Sequence, residues 1–139
     1  MKAASLLLAV ACGSGKLQGP LVTIQYVAST TLDAQVARTW VSCVSNVGRT
    51  HVHPGWHKFA RYNMDEAGDR WTISFTDVPV GRQELRVSDA NACAENATGA
   101  ATHGVYVNGV ELTEMVMTPG DGLEPGFAFT LLADGSVRP

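Results

Sequence analysis

The chain has 139 residues, which is enough for one domain with a substantial hydrophobic core. Only 17% of its residues are charged and its formal net charge is −3, a balance that excludes a strongly basic nucleic-acid-binding protein. Fourteen glycines and six prolines lie between short runs of valine, threonine and aromatic residues, which is typical of an all-β protein with many turns.

The amino terminus is typical of an export signal. Lys2 is followed by an apolar run over residues 3–10 and by small residues up to Cys12. We therefore predict an export signal over residues 1–11 and an extracytoplasmic protein, located at the cell surface or in the periplasm. Cys12 resembles the cysteine of a bacterial lipobox, and this resemblance implies a lipid anchor in the membrane, with residues 12–20 as a tether. Ordinary signal-peptidase cleavage after Ala11 is the alternative.

The remaining two cysteines are candidates for a disulfide bond. If Cys12 carries a lipid, Cys43 and Cys93 are left as one pair in an oxidising compartment. Closing the long loop between them would stabilise the fold by about 4 kcal/mol in the chain-entropy view. Two free buried thiols are the alternative.

Several short segments have the alternating pattern of half-buried strands. Val22, Ile24 and Tyr26 alternate with polar residues and predict a first strand. Residues 35–45 are apolar on both faces, so we expect a central strand that is covered on both sides. Residues 59–62 and 127–131 predict further strands, and residues 88–102 predict a loop in which one helical turn near residues 91–96 is the only helical element.

The stretch over residues 71–87 has the clearest strand pattern. Trp71, Ile73 and Phe75 alternate with hydroxyl residues, a corner follows at Pro79 and Gly81, and the alternation then resumes up to Val87. Further along, Asn108-Gly109 between two apolar runs predicts a hairpin with a type I′ turn. We therefore predict an all-β domain over residues 21–139, an antiparallel β-sandwich of about seven or eight strands.

A family resemblance lies in the same stretch. The aromatic-x-Ile-x-Phe strand, the Asp77-Val78-Pro79-x-Gly81 corner and the Glu84-to-Val87 return resemble the carboxypeptidase regulatory-like domains of the transthyretin-like, Ig-like sandwich superfamily. The usual glycine-rich opening repeat is missing, and the Cys93 loop is an insertion. The resemblance implies a non-catalytic extracytoplasmic accessory or binding module.

The histidines are the candidates for a metal site. His51 and His53 are two residues apart on an expected strand, so their rings leave the same face about 7 Å apart. A turn at Pro54-Gly55 could fold His57 back toward them, with His103 or a carboxylate completing a zinc or copper shell. Solvent-facing or hydrogen-bonded histidines are the alternative.

The tryptophans raise the question of carbohydrate binding. Trp40 and Trp71 are expected in the core, whereas Trp56, in a Pro-Gly turn, is the candidate for an exposed ligand-stacking ring. Nucleophile motifs such as Gly-x-Ser-x-Gly are absent from the sequence.

These patterns predict a surface-anchored, non-enzymatic module without a cofactor. Its function would be binding or structural assembly, with surface proteins, glycans or further copies of itself as partners and with no nucleic acid. The alternative is a zinc- or copper-binding protein, or a metal-dependent enzyme, that uses His51, His53 and His57.

Overall fold

The computed structural model describes residues 20–41, 49–53, 55–58, 63–64, 69–88, 99–118 and 126–139. These residues form one helix and two antiparallel sheets. The elements in chain order are β1 (Val22–Ala28), α1 (Thr31–Val41), β2 (Arg49–His51), β3 (His57–Lys58), β4 (Asn63–Met64), β5 (Arg70–Thr76), β6 (Gly81–Ser88), β7 (Ala101–Val107), β8 (Val110–Met117), β9 (Gly126–Leu131) and β10 (Val137–Arg138).

The two sheets have six and four strands. The larger one has the order β3-β5-β1-β7-β8, with β4 also paired to β5, and the smaller one has the order β10-β9-β6-β2. The prediction of an antiparallel all-β sandwich is thus confirmed. The described residues contain ten strands instead of the predicted seven or eight. Four of them, β2, β3, β4 and β10, are only two or three residues long, which is too short to give an alternating pattern in the sequence.

The core lies between the inner faces of the two sheets. Ile24 and Tyr26 from the six-stranded sheet and Phe129 from the four-stranded sheet are at most 1% exposed. The Tyr26 ring meets the edge of Phe127 with 6.4 Å between ring centroids, and its hydroxyl is hydrogen-bonded to the Thr50 hydroxyl in the other sheet. Burial raises the pKa of Tyr26 well above its ordinary value, so the phenol stays neutral and holds the sheets together.

The predicted alternation over residues 71–75 is confirmed. Trp71, Ile73 and Phe75 are all buried, and β5 pairs with β1 so that Ile73 lies opposite Ile24. The hydroxyl residues between them lie on the outer face of the six-stranded sheet, where Ser74 is bonded to Thr23 at 3.2 Å. The alternation therefore places the apolar side chains of β5 in the core and its hydroxyl side chains on the outer face of the sheet.

The prediction of a strand over residues 35–45 is wrong, because residues Thr31–Val41 form helix α1. The Thr30 hydroxyl accepts a hydrogen bond from the Asp33 backbone amide at 3.0 Å and caps the helix. Ala34 and Ala37, three residues apart, are both buried. That spacing suits a helix and not a strand, so the apolar pattern had been assigned the wrong period.

Helix α1 covers one end of the sandwich, next to β1 and β7. The Asp33 carboxylate accepts a hydrogen bond from the Thr102 amide at 2.8 Å and so ties the helix start to β7. Its hydrogen bonds from the Thr30 hydroxyl and the Thr102 amide lower the pKa of Asp33. The carboxylate therefore stays ionised and connects the start of helix α1 to β7.

The hairpin predicted at Asn108-Gly109 is confirmed. Both residues have positive φ, 48° and 84°, as a type I′ turn requires. The Asn108 side chain accepts a hydrogen bond from the Thr23 amide and donates to the carbonyls of Leu21 and Gly135. One side chain of the β7–β8 turn therefore contacts both the start of β1 and the turn before β10 at this end of the sandwich.

Some predictions lie outside the described residues. These are the export signal, the lipid site Cys12, the disulfide pair Cys43 and Cys93, the strand over residues 59–62 and the helical turn near residues 91–96. None of the described helices is long and apolar enough to span a bilayer.

Candidate functional site: a groove on the four-stranded sheet

An open groove of about 470 Å³ lies on the four-stranded sheet. It is formed where the end of β2, the middle of β6 and the start of β9 lie side by side. We call it the outer groove, and it is lined by His51, Val52, His53, Glu84, Leu85, Arg86, Gly126, Phe127 and Ala128.

Small residues on β9 open this groove. Gly126 lies opposite Arg86 and Ala128 lies opposite Glu84, on the face of β6 that points away from the core. A Cβ atom at Gly126 would approach the Leu85 carbonyl oxygen to 3.1 Å, which is tighter than ordinary contact. The backbones of β6 and β9 are therefore in close approach here, and a side chain at residue 126 would press on the groove floor.

His53 is held in a defined orientation at the rim of the groove. Its Nε2 is hydrogen-bonded to the backbone carbonyl of Glu84, and its ring lies 5.7 Å from that of Trp56. A carbonyl only accepts hydrogen bonds, so Nε2 of His53 carries the proton in this contact. The imidazole is thus a positioned hydrogen-bonding group.

Cationic side chains outnumber carboxylates around the groove. Glu84 forms an ion pair with Arg82 at 3.4 Å, and both side chains are exposed. The next outward residue of β6 is Arg86, which lies opposite His51 of β2. The groove lining thus contains one guanidinium group, one carboxylate and two imidazoles, and a second guanidinium group, that of Arg82, lies beside it on Glu84.

The structure does not bring the three predicted metal ligands together. His51 lies on β2 of the four-stranded sheet, whereas His57 lies on β3 of the six-stranded sheet, with its Nε2 3.7 Å from the Asp77 carboxylate. The chain between them passes from one sheet to the other instead of folding back. The described residues, which include His51, His53 and His57, contain no group of three or more potential metal ligands.

Trp56 is buried, and this corrects its prediction as an exposed stacking ring. Its side chain is 7% exposed and packs against Phe75 with 5.5 Å between ring centroids. The large indole fills the core at the point where the chain changes sheets, and this burial pulls residue 57 away from the His51 side. Trp56 therefore supports His53 from behind and offers no ring face to a ligand.

His103 is the most deeply buried of the four histidines. It lies on β7 at 1% exposure and stacks on Trp71, with 5.1 Å between ring centroids. Burial lowers its pKa to about 4, so the ring is neutral at physiological pH. Its position in the core excludes it from the groove.

The sequence pattern identified part of this site. The pairs His51/His53 and Glu84/Arg86 each have the spacing of outward residues on a strand, but their meeting depends on the pairing of β2 with β6. The small residues Gly126 and Ala128 had no recognisable signal in sequence. We find no match to this chain among protein-family profiles, curated proteins or solved structures.

Proposed function

We propose that this chain is a non-enzymatic, extracytoplasmic β-sandwich module that is anchored to the cell surface by a lipid on Cys12. In this proposal it binds acidic groups, carboxylates or phosphates, of a surface partner in the outer groove. The observation that carries the proposal is a groove lining with two imidazoles, the Arg86 guanidinium group and one carboxylate that is already paired with Arg82, above a floor that includes small residues.

The residue types that line the groove favour binding over catalysis. Glu84 is engaged by Arg82, and the Nε2 proton of His53 is donated to a backbone carbonyl. A catalytic dyad needs a nucleophile within hydrogen-bond reach of a base, and none of the nine lining residues is a serine, threonine, cysteine or lysine. The charged groups here are arranged as fixed contacts for a ligand.

Nuclear magnetic resonance titration of the full chain tests this proposal. Inorganic phosphate and citrate are the probes, and we expect amide shifts concentrated at residues 51–53, 84–86 and 126–128. Arg86→Ala and His53→Ala should each weaken the response several-fold, whereas Lys58→Ala on the other sheet should leave it unchanged. Shifts that are absent from the groove, or that survive both substitutions, would contradict the proposal.

Structural self-assembly is the other role that a surface-anchored sandwich can have. Size-exclusion chromatography with light scattering over a wide concentration range distinguishes the two. A molecular mass that stays that of one chain supports the binding role, and a mass that grows with concentration supports assembly.

A further inference from the structure

The outer face of the six-stranded sheet has a row of four side chains on four adjacent strands. In register they are Thr72 on β5, Gln25 on β1, Tyr106 on β7 and Glu111 on β8, and we call them the Tyr106 row. Because neighbouring strands are about 4.8 Å apart, the row is about 14 Å long. The row runs across the strands, and the backbone pairing of the sheet fixes the positions of its four residues relative to one another.

Tyr106 is positioned by a glycine beside it on the same strand. A Cβ atom at Gly104 would lie 3.2 Å from Cε1 of Tyr106 and 3.3 Å from Oε2 of Glu111. The missing side chain thus leaves the space in which the ring and the carboxylate lie side by side against the sheet. Tyr106 is half-buried, so part of its ring contacts the sheet and part is open to solvent.

On the side of Tyr106 away from Glu111, the outer face has uncharged hydrogen-bonding groups. The Gln25 amide donates to the Thr72 hydroxyl at 3.3 Å, and Thr23 and Ser74 form a second hydroxyl pair on the same face. These four side chains present donors and acceptors without any charge. Their mutual hydrogen bonds orient them before a ligand arrives.

The charges at the far end of the row are both negative. Glu111 ends the row, and Glu114 lies next to it on β8, hydrogen-bonded to the Ser29 hydroxyl at 3.1 Å. Two carboxylates repel anionic ligands such as phosphates and uronates. They accept hydrogen bonds from hydroxyl groups, so an uncharged, hydroxyl-rich ligand is the chemistry that fits.

We propose that the Tyr106 row binds an uncharged glycan. The Tyr106 ring contacts the C–H face of one sugar, Gln25 and Thr72 exchange hydrogen bonds with its hydroxyls, and Glu111 accepts from the hydroxyls of a neighbouring sugar. The site lies on the opposite sheet from the outer groove and takes an uncharged ligand instead of an anionic one. It therefore stands independently of the proposed function.

Affinity electrophoresis of the full chain through gels containing soluble polysaccharides tests this site. The neutral probes are a β-glucan, an α-glucan, a xylan and a galactomannan, and polygalacturonate is the anionic one. We expect retardation by at least one neutral polymer and none by polygalacturonate. Tyr106→Ala should weaken the binding about tenfold, because the aromatic contact is lost.

Matched variants separate a binding role from a structural one. Tyr106→Trp keeps an aromatic ring and should keep the binding, while Glu111→Gln should weaken it several-fold, and both should melt near the wild-type temperature. Arg138→Ala, at an exposed position of β10 on the other sheet, should bind glycan as the wild type does. The proposal is overturned if no neutral polymer retards the wild type, or if Tyr106→Ala binds as tightly as the wild type.

Discussion

Asn108 joins three separate segments through one side chain. It holds the Thr23 amide and the carbonyls of Leu21 and Gly135, and it has a positive φ of 48° that asparagine tolerates better than most residues. The side chain therefore connects the hairpin of the six-stranded sheet with the last turn of the four-stranded one. It is the residue at this end of the sandwich whose loss we expect to be most costly.

We expect Asn108→Ala to reduce the free energy of unfolding by about 2–4 kcal/mol, because three hydrogen bonds are lost and alanine is strained at positive φ. Asn108→Gly loses the same hydrogen bonds without the strain and should cost less. Urea denaturation of both variants measures the difference. Equal losses would mean that the turn conformation contributes little, and a loss below about 0.5 kcal/mol in both would contradict the role of the side chain.

His103 should make the fold sensitive to acid. Its pKa is about 4 in the folded protein against 6.5 in the unfolded chain, so between these values the unfolded state binds more protons. The contribution of His103 to the free energy of unfolding is therefore fully present above pH 6.5 and is lost as pH falls toward 4. The loss is at most about 3 kcal/mol. Urea unfolding near pH 7.5 and near pH 5 checks this.

His103→Phe is the control for this pH dependence, since it keeps a ring against Trp71 and removes the titrating group. The lowered pKa of Asp33 acts in the same direction, but only as pH falls below the ordinary carboxyl value of 3.8. The two groups are thus separable by pH. A wild type whose stability is the same at pH 7.5 and pH 5 would contradict the prediction for His103.

Helix α1 depends on its first turn. Thr30 accepts from the Asp33 amide and donates to the Asp33 carboxylate, which in turn holds the Thr102 amide of β7. Thr30→Ala should therefore cost about 1–2 kcal/mol of unfolding free energy. Leu32→Ala, at a position that is 68% exposed in the same turn, should cost almost nothing. Similar losses in both variants would indicate that the cap is not the cause.

The strands were predictable where one face is buried and the other is polar. Residues 22–26 and 71–75 alternate regularly because β1 and β5 each have one face in the core and one in solvent. The helix was missed because alanine and valine suit both periods. The outer groove could not be predicted, since it depends on the pairing of β2, β6 and β9.

The predicted disulfide connects two segments whose flanking residues are neighbours. Arg49 follows the segment that contains Cys43, and Ser88 precedes the segment that contains Cys93; these two residues pair across β2 and β6. On the other side, a Cβ atom at Gly99 would lie 3.2 Å from Val36 of the helix. Mass spectrometry of the unreduced, alkylated protein should find Cys43 and Cys93 joined. Alkylation of both thiols would exclude the bond.

Lipidation of Cys12 would tie the whole molecule to a membrane. Metabolic labelling with a clickable fatty acid should tag the wild type and leave Cys12→Ser untagged. The variant should then appear in the soluble fraction, with its sandwich unchanged because Cys12 precedes β1. A wild type that is exported but carries no label would instead indicate plain secretion, with cleavage after Ala11.

The central position of β1 has a consequence for the order of folding. Thr23 meets Ser74 on one neighbouring strand, 51 residues later in the chain, and Asn108 beside the other, 85 residues later. Closing such long loops is slow, whereas the β7–β8 hairpin needs only a two-residue turn. We therefore expect the β7–β8 hairpin to form within microseconds and the six-stranded sheet to close much later. Because β1 is synthesised before both of its neighbours, the six-stranded sheet can close around it only after β7 has been synthesised.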